Sequence, residues 1–173
     1  MTLTLTLLNA LSPPEAAEQL RACCGSSSWV EAMLAHRPYQ SVDHLLSVAD
    51  EAWRANGPED WDEAFAHHPR IGEVRAAALV SPAARIWSAA EQGTAAASGA
   101  AARAALAEAN TTYERRFGRI YIVCAAGRSA EELLADLESR MGNDPDQERA
   151  VAAEEQRKIT RLRLLALMGA REP

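Results

Sequence analysis

Apolar side chains recur along most of the chain at the three- and four-residue spacing that is typical of amphipathic helices. The clearest stripe consists of Val42, Leu45, Leu46, Ala49 and Trp53. Serine, proline and glycine separate such stripes at regular intervals, as they do at helix ends. The pattern therefore predicts an all-α fold.

Start and stop signals give the bounds of the predicted helices. Ser-x-x-Glu capping boxes begin at Ser12, Ser28 and Ser129, and Asn56-Gly57-Pro58 predicts a left-handed helix end, as does Gly118. The predicted helices cover about 13–24, 28–36, 41–55, 61–67, 81–92, 100–117, 129–142 and 145–168. Residues 93–99 suit either a loop or a continued helix. We expect a single domain, residues 1–173, that folds as a bundle of about eight helices.

The run from Ile120 to Cys124 differs from the rest of the chain because it is β-branched and aromatic. Such residues favour extended backbone, but an isolated strand without partners is not stable. No second run of this kind occurs in the sequence. We therefore expect a buried, extended connector between two helices.

Composition and charge narrow the class of protein. The 173 residues carry 24 acidic and 18 basic side chains, a formal charge of -6, which disfavours a nucleic-acid partner. No stretch approaches the roughly 18 consecutive apolar residues of a membrane span, and the first residues lack the basic flank of a secretory signal. Cys23, Cys24 and Cys124 form no disulfide framework and are expected to be small core residues. We expect a cytoplasmic protein without membrane association.

His68 is the first candidate for chemistry. It precedes Pro69, which disfavours helical backbone at His68 and places it at a helix exit. The negative end of the helix dipole favours imidazolium there, and such a histidine can act as a general acid or base. The alternative is that His67 and His68 are solvated residues at the end of a helix.

Ser88, Glu91 and Gln92 form a second polar group, because positions i, i+3 and i+4 share one helix face. At a pocket, they would bind the N–H and C=O groups of a polar ring or a ureido group. Turned outward, they would be hydrated surface. Arg163 borders the apolar stripe of the last helix and needs a partner, either a carboxylate of the protein or a bound anion or carbonyl.

Other kinds of site find little support. The histidines lack metal-ligand spacing, so no metal is assigned. Neither a G-x-S-x-G elbow nor a glycine-rich phosphate loop occurs, and no cofactor is expected. Lys158, Arg157 and Arg161 are expected to be exposed.

Several short motifs, taken in order, resemble those of the OHCU decarboxylases, where OHCU is 2-oxo-4-hydroxy-4-carboxy-5-ureidoimidazoline. The motifs are His68-Pro69-Arg-Ile71-Gly72, Ser88-x-x-Glu91-Gln92, Asn110-x-x-Tyr113 with Arg116-Phe117-Gly118, Ile122-Val-Cys124, Gly127-Arg128-Ser129 and Lys158-Ile159 with Leu162-Arg163-Leu164. No single motif is specific, but the ordered set extends over nearly the whole chain.

The resemblance implies an all-helical homodimer that works without a cofactor and converts OHCU to (S)-allantoin and carbon dioxide in urate degradation. It implies that the catalytic residues are His68, Glu91 and Arg163. The substrate contacts that it implies are Pro69, Ser88, Gln92 and Ile122. His67 doubles the histidine, and we assign the role to the one that precedes proline.

Two rival hypotheses stay open. One keeps the scaffold and assigns another ureido or imidazolinone acid as the substrate. The other is a non-catalytic helical binding module whose polar residues form a buried network between helices. In that module, Glu91→Gln and Arg163→Ala would lower the melting temperature more than any activity.

Overall fold

The computed structural model describes residues 3–71, 87, 89 and 92–169. Nine helices and no strand lie in these residues. The helices are α1 Leu5–Ala10, α2 Pro13–Cys23, α3 Ser27–Ala35, α4 Val42–Ala55, α5 Pro58–Ala66, α6 Gly93–Ala97, α7 Ala100–Phe117, α8 Ala130–Arg140 and α9 Pro145–Leu167. The predicted all-α fold is confirmed, and the open choice at 93–99 is decided in favour of a short helix.

The chain divides into two compact units. The first unit comprises Met1–Ala64 and Arg157–Pro173, and the second comprises Phe65–Gln156. Helices α1 to α4 belong to the first unit and α6 to α8 to the second, whereas the two boundaries fall within α5 and α9. That residues 1–173 act as one domain stays a prediction.

In the first unit, α2 packs on α3 and α3 packs on α4. Trp29 on α3 is fully buried, and its indole Nε1 donates a hydrogen bond to the Ala49 carbonyl at 3.0 Å. A buried tryptophan removes roughly 150–250 Å² from water, so this ring contributes strongly to the stability of the unit. The stripe predicted for α4 is also confirmed, since Leu45, Leu46 and Trp53 are buried.

In the second unit, α8 packs on both α6 and α7. Aromatic rings extend this core, with Tyr113 4.7 Å from Phe117 and 5.3 Å from Tyr121 between ring centroids. The core consists of Ile71, Ala95, Leu106, Tyr113, Tyr121, Val123, Ala125, Ala130, Leu133 and Leu137. The buried connector is confirmed, because Tyr121, Ile122 and Val123 are buried in a segment that is neither helix nor strand, and its extended backbone stays a prediction.

The capping box predicted at Ser28 is wrong. Helix α3 begins at Ser27, and the Ser26 hydroxyl accepts the cap hydrogen bond from the Trp29 amide at 3.2 Å. The Ser28 hydroxyl instead donates to Asp60 at 2.5 Å. Three consecutive serines have the same capping propensity. Because Glu63 and Asp60 of α5 accept from the hydroxyls of Ser27 and Ser28, Ser26 becomes the cap.

Helix α4 ends where it is predicted to end, but the left-handed stop is wrong. Asn56 is extended, with φ -72° and ψ 150°, and Gly57 is not among the described glycines with positive φ. Side-chain bonds hold this exit, because the Asn56 amide donates to Ser26 Oγ at 2.9 Å and the Gly57 amide donates to Asp60 at 2.9 Å. A left-handed residue is therefore not needed.

Helix α1 lies outside the predicted helices. Its sequence alternates threonine and leucine, which hides the helical period. The Thr4 hydroxyl caps the helix by accepting from the Leu7 amide at 3.2 Å, and Leu8 is fully buried. The helix predicted over 81–92 lies outside the described residues, apart from three of them. Trp87 and Ala89 are helical, whereas Gln92 is a turn residue that precedes α6.

Candidate active site

His68 lies just after α5, where the sequence predicts it. Its backbone amide donates to the Phe65 carbonyl at 3.1 Å, which closes the last turn of the helix. Phe65 is buried and anchors that turn, whereas the His68 side chain is half-buried. The imidazole is therefore held on a fixed turn and keeps access to solvent.

The residues after His68 are anchored as well. Pro69 is half-buried, Arg70 forms an ion pair with Glu114 of α7, and Ile71 is part of the core of the second unit. The ion pair is partly exposed, so it contributes at most about 1 kcal/mol to stability. Its two parallel hydrogen bonds nevertheless give it a defined geometry. The histidine is thus fixed on both sides along the chain.

Gln92 is half-buried at the N-cap position of α6, where its carbonyl accepts from the Ala96 amide at 2.9 Å. Ser88 and Glu91, the other members of the predicted polar group, lie outside the described residues. Their common face with Gln92 stays a prediction.

Ile122 is 2% exposed and lies in the connector between α7 and α8. Its carbonyl accepts a hydrogen bond from Arg140 Nη1 at 3.0 Å. Two residues later, the Cys124 amide donates to Glu155 Oε2 at 2.8 Å. Charged side chains of α8 and α9 therefore hold the backbone of this segment.

Arg140 belongs to a buried polar network that the sequence pattern does not predict. Arg140 Nε donates to Glu148 Oε1 at 2.9 Å, and Arg140 Nη2 and the Tyr113 hydroxyl donate to the same oxygen. Asn143 Nδ2 donates to the other oxygen, Glu148 Oε2, at 2.8 Å. The Glu148 side chain is fully buried, and that of Arg140 is 6% exposed. The signal in the sequence is Tyr113, which follows Leu106 at the helical spacing i+7 and so places a hydroxyl on an apolar helix face.

Burial and the contact with Glu148 shift the pKa values of both Arg140 and Tyr113. Burial alone would lower the pKa of Arg140, but the hydrogen bond and the charge of Glu148 outweigh it and raise that pKa above its ordinary value. Burial raises the pKa of Tyr113, and the bond to Glu148 raises it further. Arg140 therefore stays charged and Tyr113 neutral near pH 7, so that both donate to Glu148.

Arg163 is 3% exposed on α9, in the part of that helix that belongs to the first unit. It shares its surroundings with Cys24, which is 1% exposed. Burial raises the pKa of the Cys24 thiol to about 11, and a backbone hydrogen bond at Ser26, the Thr160 hydroxyl and the Arg163 charge oppose that rise. His68, Pro69, Gln92 and Ile122 belong to the second unit, so a site shared with Arg163 stays a prediction.

The expectation that Arg157 is exposed is wrong. Its side chain is 23% exposed, and Nη1 forms an ion pair with Asp50 Oδ1 of α4 at 2.9 Å. Arg161 lies 3.9 Å from the other Asp50 oxygen and is 39% exposed. A carboxylate on α4 therefore attracts both arginines, whereas Lys158 is exposed as expected.

Two kinds of feature are absent from the part of the chain that the structure describes. No group of three or more His, Cys, Asp or Glu residues there is placed to hold a metal ion. No helix there has the length and apolar character to span a membrane. The expected absence of a metal and a cofactor stays a prediction.

The sequence matches a known family over most of its length. The model of that family, described as OHCU decarboxylase, matches residues 9–165. The chain belongs to the OHCU decarboxylase family. The resemblance of the ordered motifs is thereby confirmed.

Two curated relatives match this OHCU decarboxylase family member over part of their own length. The chain is 39% identical over 153 residues to the uric acid degradation bifunctional protein TTL of Arabidopsis thaliana, covering 88% of this chain and 47% of that protein. It is 47% identical over 55 residues to 2-oxo-4-hydroxy-4-carboxy-5-ureidoimidazoline decarboxylase of Amia calva, covering 32% and 31%. The matches thus span less than half of either relative.

Two solved structures share the fold of this family member. A crystal structure of OHCU decarboxylase in the presence of (S)-allantoin has a TM-score of 0.74 at 36% identity, covering 88% of this chain and 98% of the other. A crystal structure of (S)-allantoin synthase has a TM-score of 0.69 at 20% identity, covering 96% and 54%. At 20% identity, the second likeness shows the fold alone.

Proposed function

We propose that this protein decarboxylates OHCU to (S)-allantoin and carbon dioxide. The observation that carries the proposal is the family match over residues 9–165. The relative crystallised with (S)-allantoin supports it, because this chain covers 98% of that relative at 36% identity. The half-buried His68 on its anchored turn supplies an acid or base of the required type.

The substrate itself provides the electron sink for this reaction. The bond between the carboxylate and the hydroxyl-bearing ring carbon breaks, and its electron pair forms a bond to the neighbouring carbon as the C=N pair moves to nitrogen. The hydroxyl then gives up its proton and becomes the carbonyl. The neighbouring carbon and the ring nitrogen each take up one proton, one from the hydroxyl and one from the medium. No cofactor is needed, because the ring imine accepts the electrons.

In this proposal, His68 moves the proton between the hydroxyl and the neighbouring carbon. Delivery from one face of the ring makes the S product. Glu91 and Gln92 hold the ring and ureido N–H groups, and Arg163 binds a carbonyl or the developing oxyanion. The remaining contacts are Pro69, Ser88 and Ile122.

The proposal also includes a cytoplasmic homodimer, built from single-domain chains, without a nucleic-acid or membrane partner. Cys24 supports the location, because it is a buried reduced thiol, the form in which a reducing compartment keeps cysteine. Light scattering after gel filtration would give the oligomeric state. A monomer at the concentration of the assay would contradict the homodimer.

The test of function is an assay of the purified protein on OHCU that is freshly generated from urate. Circular dichroism follows the product, since only an enzymatic reaction yields optically enriched allantoin faster than spontaneous decay. Racemic allantoin at the uncatalysed rate would contradict the proposal. Faster turnover of another ureido or imidazolinone acid, tested in parallel, would favour the rival substrate.

A further inference from the structure

The buried connector between α7 and α8 contains Ile122, a proposed substrate contact. Two side chains from neighbouring helices hydrogen-bond to its backbone, Arg140 at the Ile122 carbonyl and Glu155 at the Cys124 amide. The proposed reaction gives neither charged residue a role.

We propose that Arg140, oriented by Glu148 and Tyr113, is a positioning residue that places the Ile122–Cys124 backbone for substrate binding. The inference rests on the proposed function, because it takes Ile122 as a substrate contact.

The geometry of Arg140 couples the ion pair to the Ile122 carbonyl. The guanidinium is planar, so two bonds to one oxygen of Glu148, from Nε and Nη2, fix the direction of the remaining nitrogen, Nη1. Nη1 then donates to the Ile122 carbonyl at 3.0 Å. The guanidinium carbon also lies 4.8 Å from the centre of the Tyr121 ring, which restricts its position further.

Two further side chains hold the Glu148 carboxylate in place by hydrogen bonds. The Tyr113 hydroxyl of α7 donates to Oε1, and the Asn143 amide donates to Oε2. Because Glu148 is fully buried, water does not replace a lost partner. The position of the Ile122 carbonyl therefore depends on groups of α7, α8 and α9.

A purely structural role is the alternative. Buried ion pairs are often replaced by apolar residues without loss of stability, whereas removal of one partner strands a buried charge. A variant that removes Arg140, Glu148 and Tyr113 together separates the two roles. It leaves no buried charge without a partner, because Asp136, the other carboxylate that contacts Arg140, is 31% exposed. It still lacks the bond to the Ile122 carbonyl.

The test is the triple variant Arg140→Met, Glu148→Leu, Tyr113→Phe, assayed on OHCU with the melting temperature measured in parallel. We expect a folded protein whose kcat/KM is about tenfold to a hundredfold lower, mostly through a higher KM. Amide hydrogen exchange at residues 121–124 should be faster. The control is Leu137→Ala, which lies on the same helix and is 1% exposed. It should lower the melting temperature and leave KM unchanged.

Wild-type KM and wild-type exchange in a folded triple variant would overturn the inference. If the triple variant does not fold, Arg140→Lys distinguishes positioning from a purely structural role. Lysine keeps the positive charge beside Glu148 but loses the planar guanidinium that donates several hydrogen bonds at once. A raised KM supports positioning, and an unchanged KM overturns it. If the wild-type protein does not turn over OHCU, the proposed function fails instead, and hydrogen exchange still shows whether Arg140 holds the segment.

Discussion

The guanidinium of Arg70 and the carboxylate of Glu114 form a paired contact, with 2.5 Å between Nε and Oε1 and 2.7 Å between Nη2 and Oε2. Arg70 lies two residues after His68, whereas Glu114 lies on α7. The contact therefore ties the segment of the proposed catalytic histidine to a helix far along the chain. Because the Arg70 side chain is 48% exposed, we attribute to it a geometric rather than an energetic role.

Arg70→Ala should accordingly lower kcat more than it lowers stability. A displaced catalytic group costs up to about a hundredfold in rate, while loss of an exposed ion pair costs at most about 1 kcal/mol. Steady-state kinetics and urea unfolding measure the two effects. Arg115→Ala, an exposed arginine of the same helix as Glu114, is the control and should change neither. A wild-type kcat in Arg70→Ala would show that the pair does not position the histidine.

His68→Asn should slow the turnover of OHCU about 10²- to 10⁴-fold, which is the usual contribution of a general acid or base. The melting temperature should stay near that of the wild type, because the side chain is half-buried and asparagine keeps a polar group there. His67→Asn is the matched control, since His67 is also half-buried and directly precedes His68. Equal losses in both variants, or none in His68→Asn, would refute the assignment.

Ser26→Ala should destabilise the protein by about 1–2 kcal/mol. The Ser26 hydroxyl is fully buried, caps α3 at the Trp29 amide and accepts a second hydrogen bond from Asn56. Ser28→Ala should cost less, because Ser28 makes an exposed contact with Asp60. Urea unfolding of the two variants tests which serine is the cap. A larger loss in Ser28→Ala would restore the cap that the sequence predicts.

Gly118→Ala should cost about 1–2 kcal/mol through backbone strain alone. Gly118 ends α7 with φ +70°, and an added Cβ would meet no atom within 4 Å. Gly93→Ala is the control, because Gly93 also has open space but lies within α6 and has no positive φ. It should be neutral or slightly stabilising, since alanine restricts the unfolded chain. Thermal unfolding of both variants should show that difference.

Local signals predicted most of the fold. The capping box at Ser129, the stop at Gly118 and the apolar stripe of α4 each act within a few residues, and the structure confirms them. The errors arise where tertiary contacts decide. Carboxylates of α5 select Ser26 among three serines, and side-chain bonds of Asn56 replace a left-handed stop.

The candidate site could be predicted only in part. The position of His68 follows from the proline after it, and the burial of Ile122 follows from its apolar neighbours. The network around Arg140 could not be predicted, because Glu148 and Tyr113 are 35 residues apart in sequence. The spacing of apolar residues predicts each helix separately. The contact between Tyr113, Arg140 and Glu148 depends instead on how α7, α8 and α9 pack together.

The buried thiol of Cys24 should make stability depend on alkaline pH. Burial is the largest cause that raises its pKa, from an ordinary 9.0 to about 11. The unfolded chain therefore loses its proton first, so the stabilising contribution is complete below about pH 9 and is lost as the pH rises to about 11. A shift of this size corresponds to about 2–3 kcal/mol.

Urea unfolding of the wild type and of Cys24→Ala from pH 8 to 11 measures the contribution of Cys24 to the free energy of unfolding. The comparison isolates Cys24, because the raised pKa values of Tyr39, Tyr113 and Tyr121 act in both proteins. The stability of the wild type should fall more steeply than that of the variant, and parallel curves would show that Cys24 ionises as readily in the folded protein as in the unfolded chain.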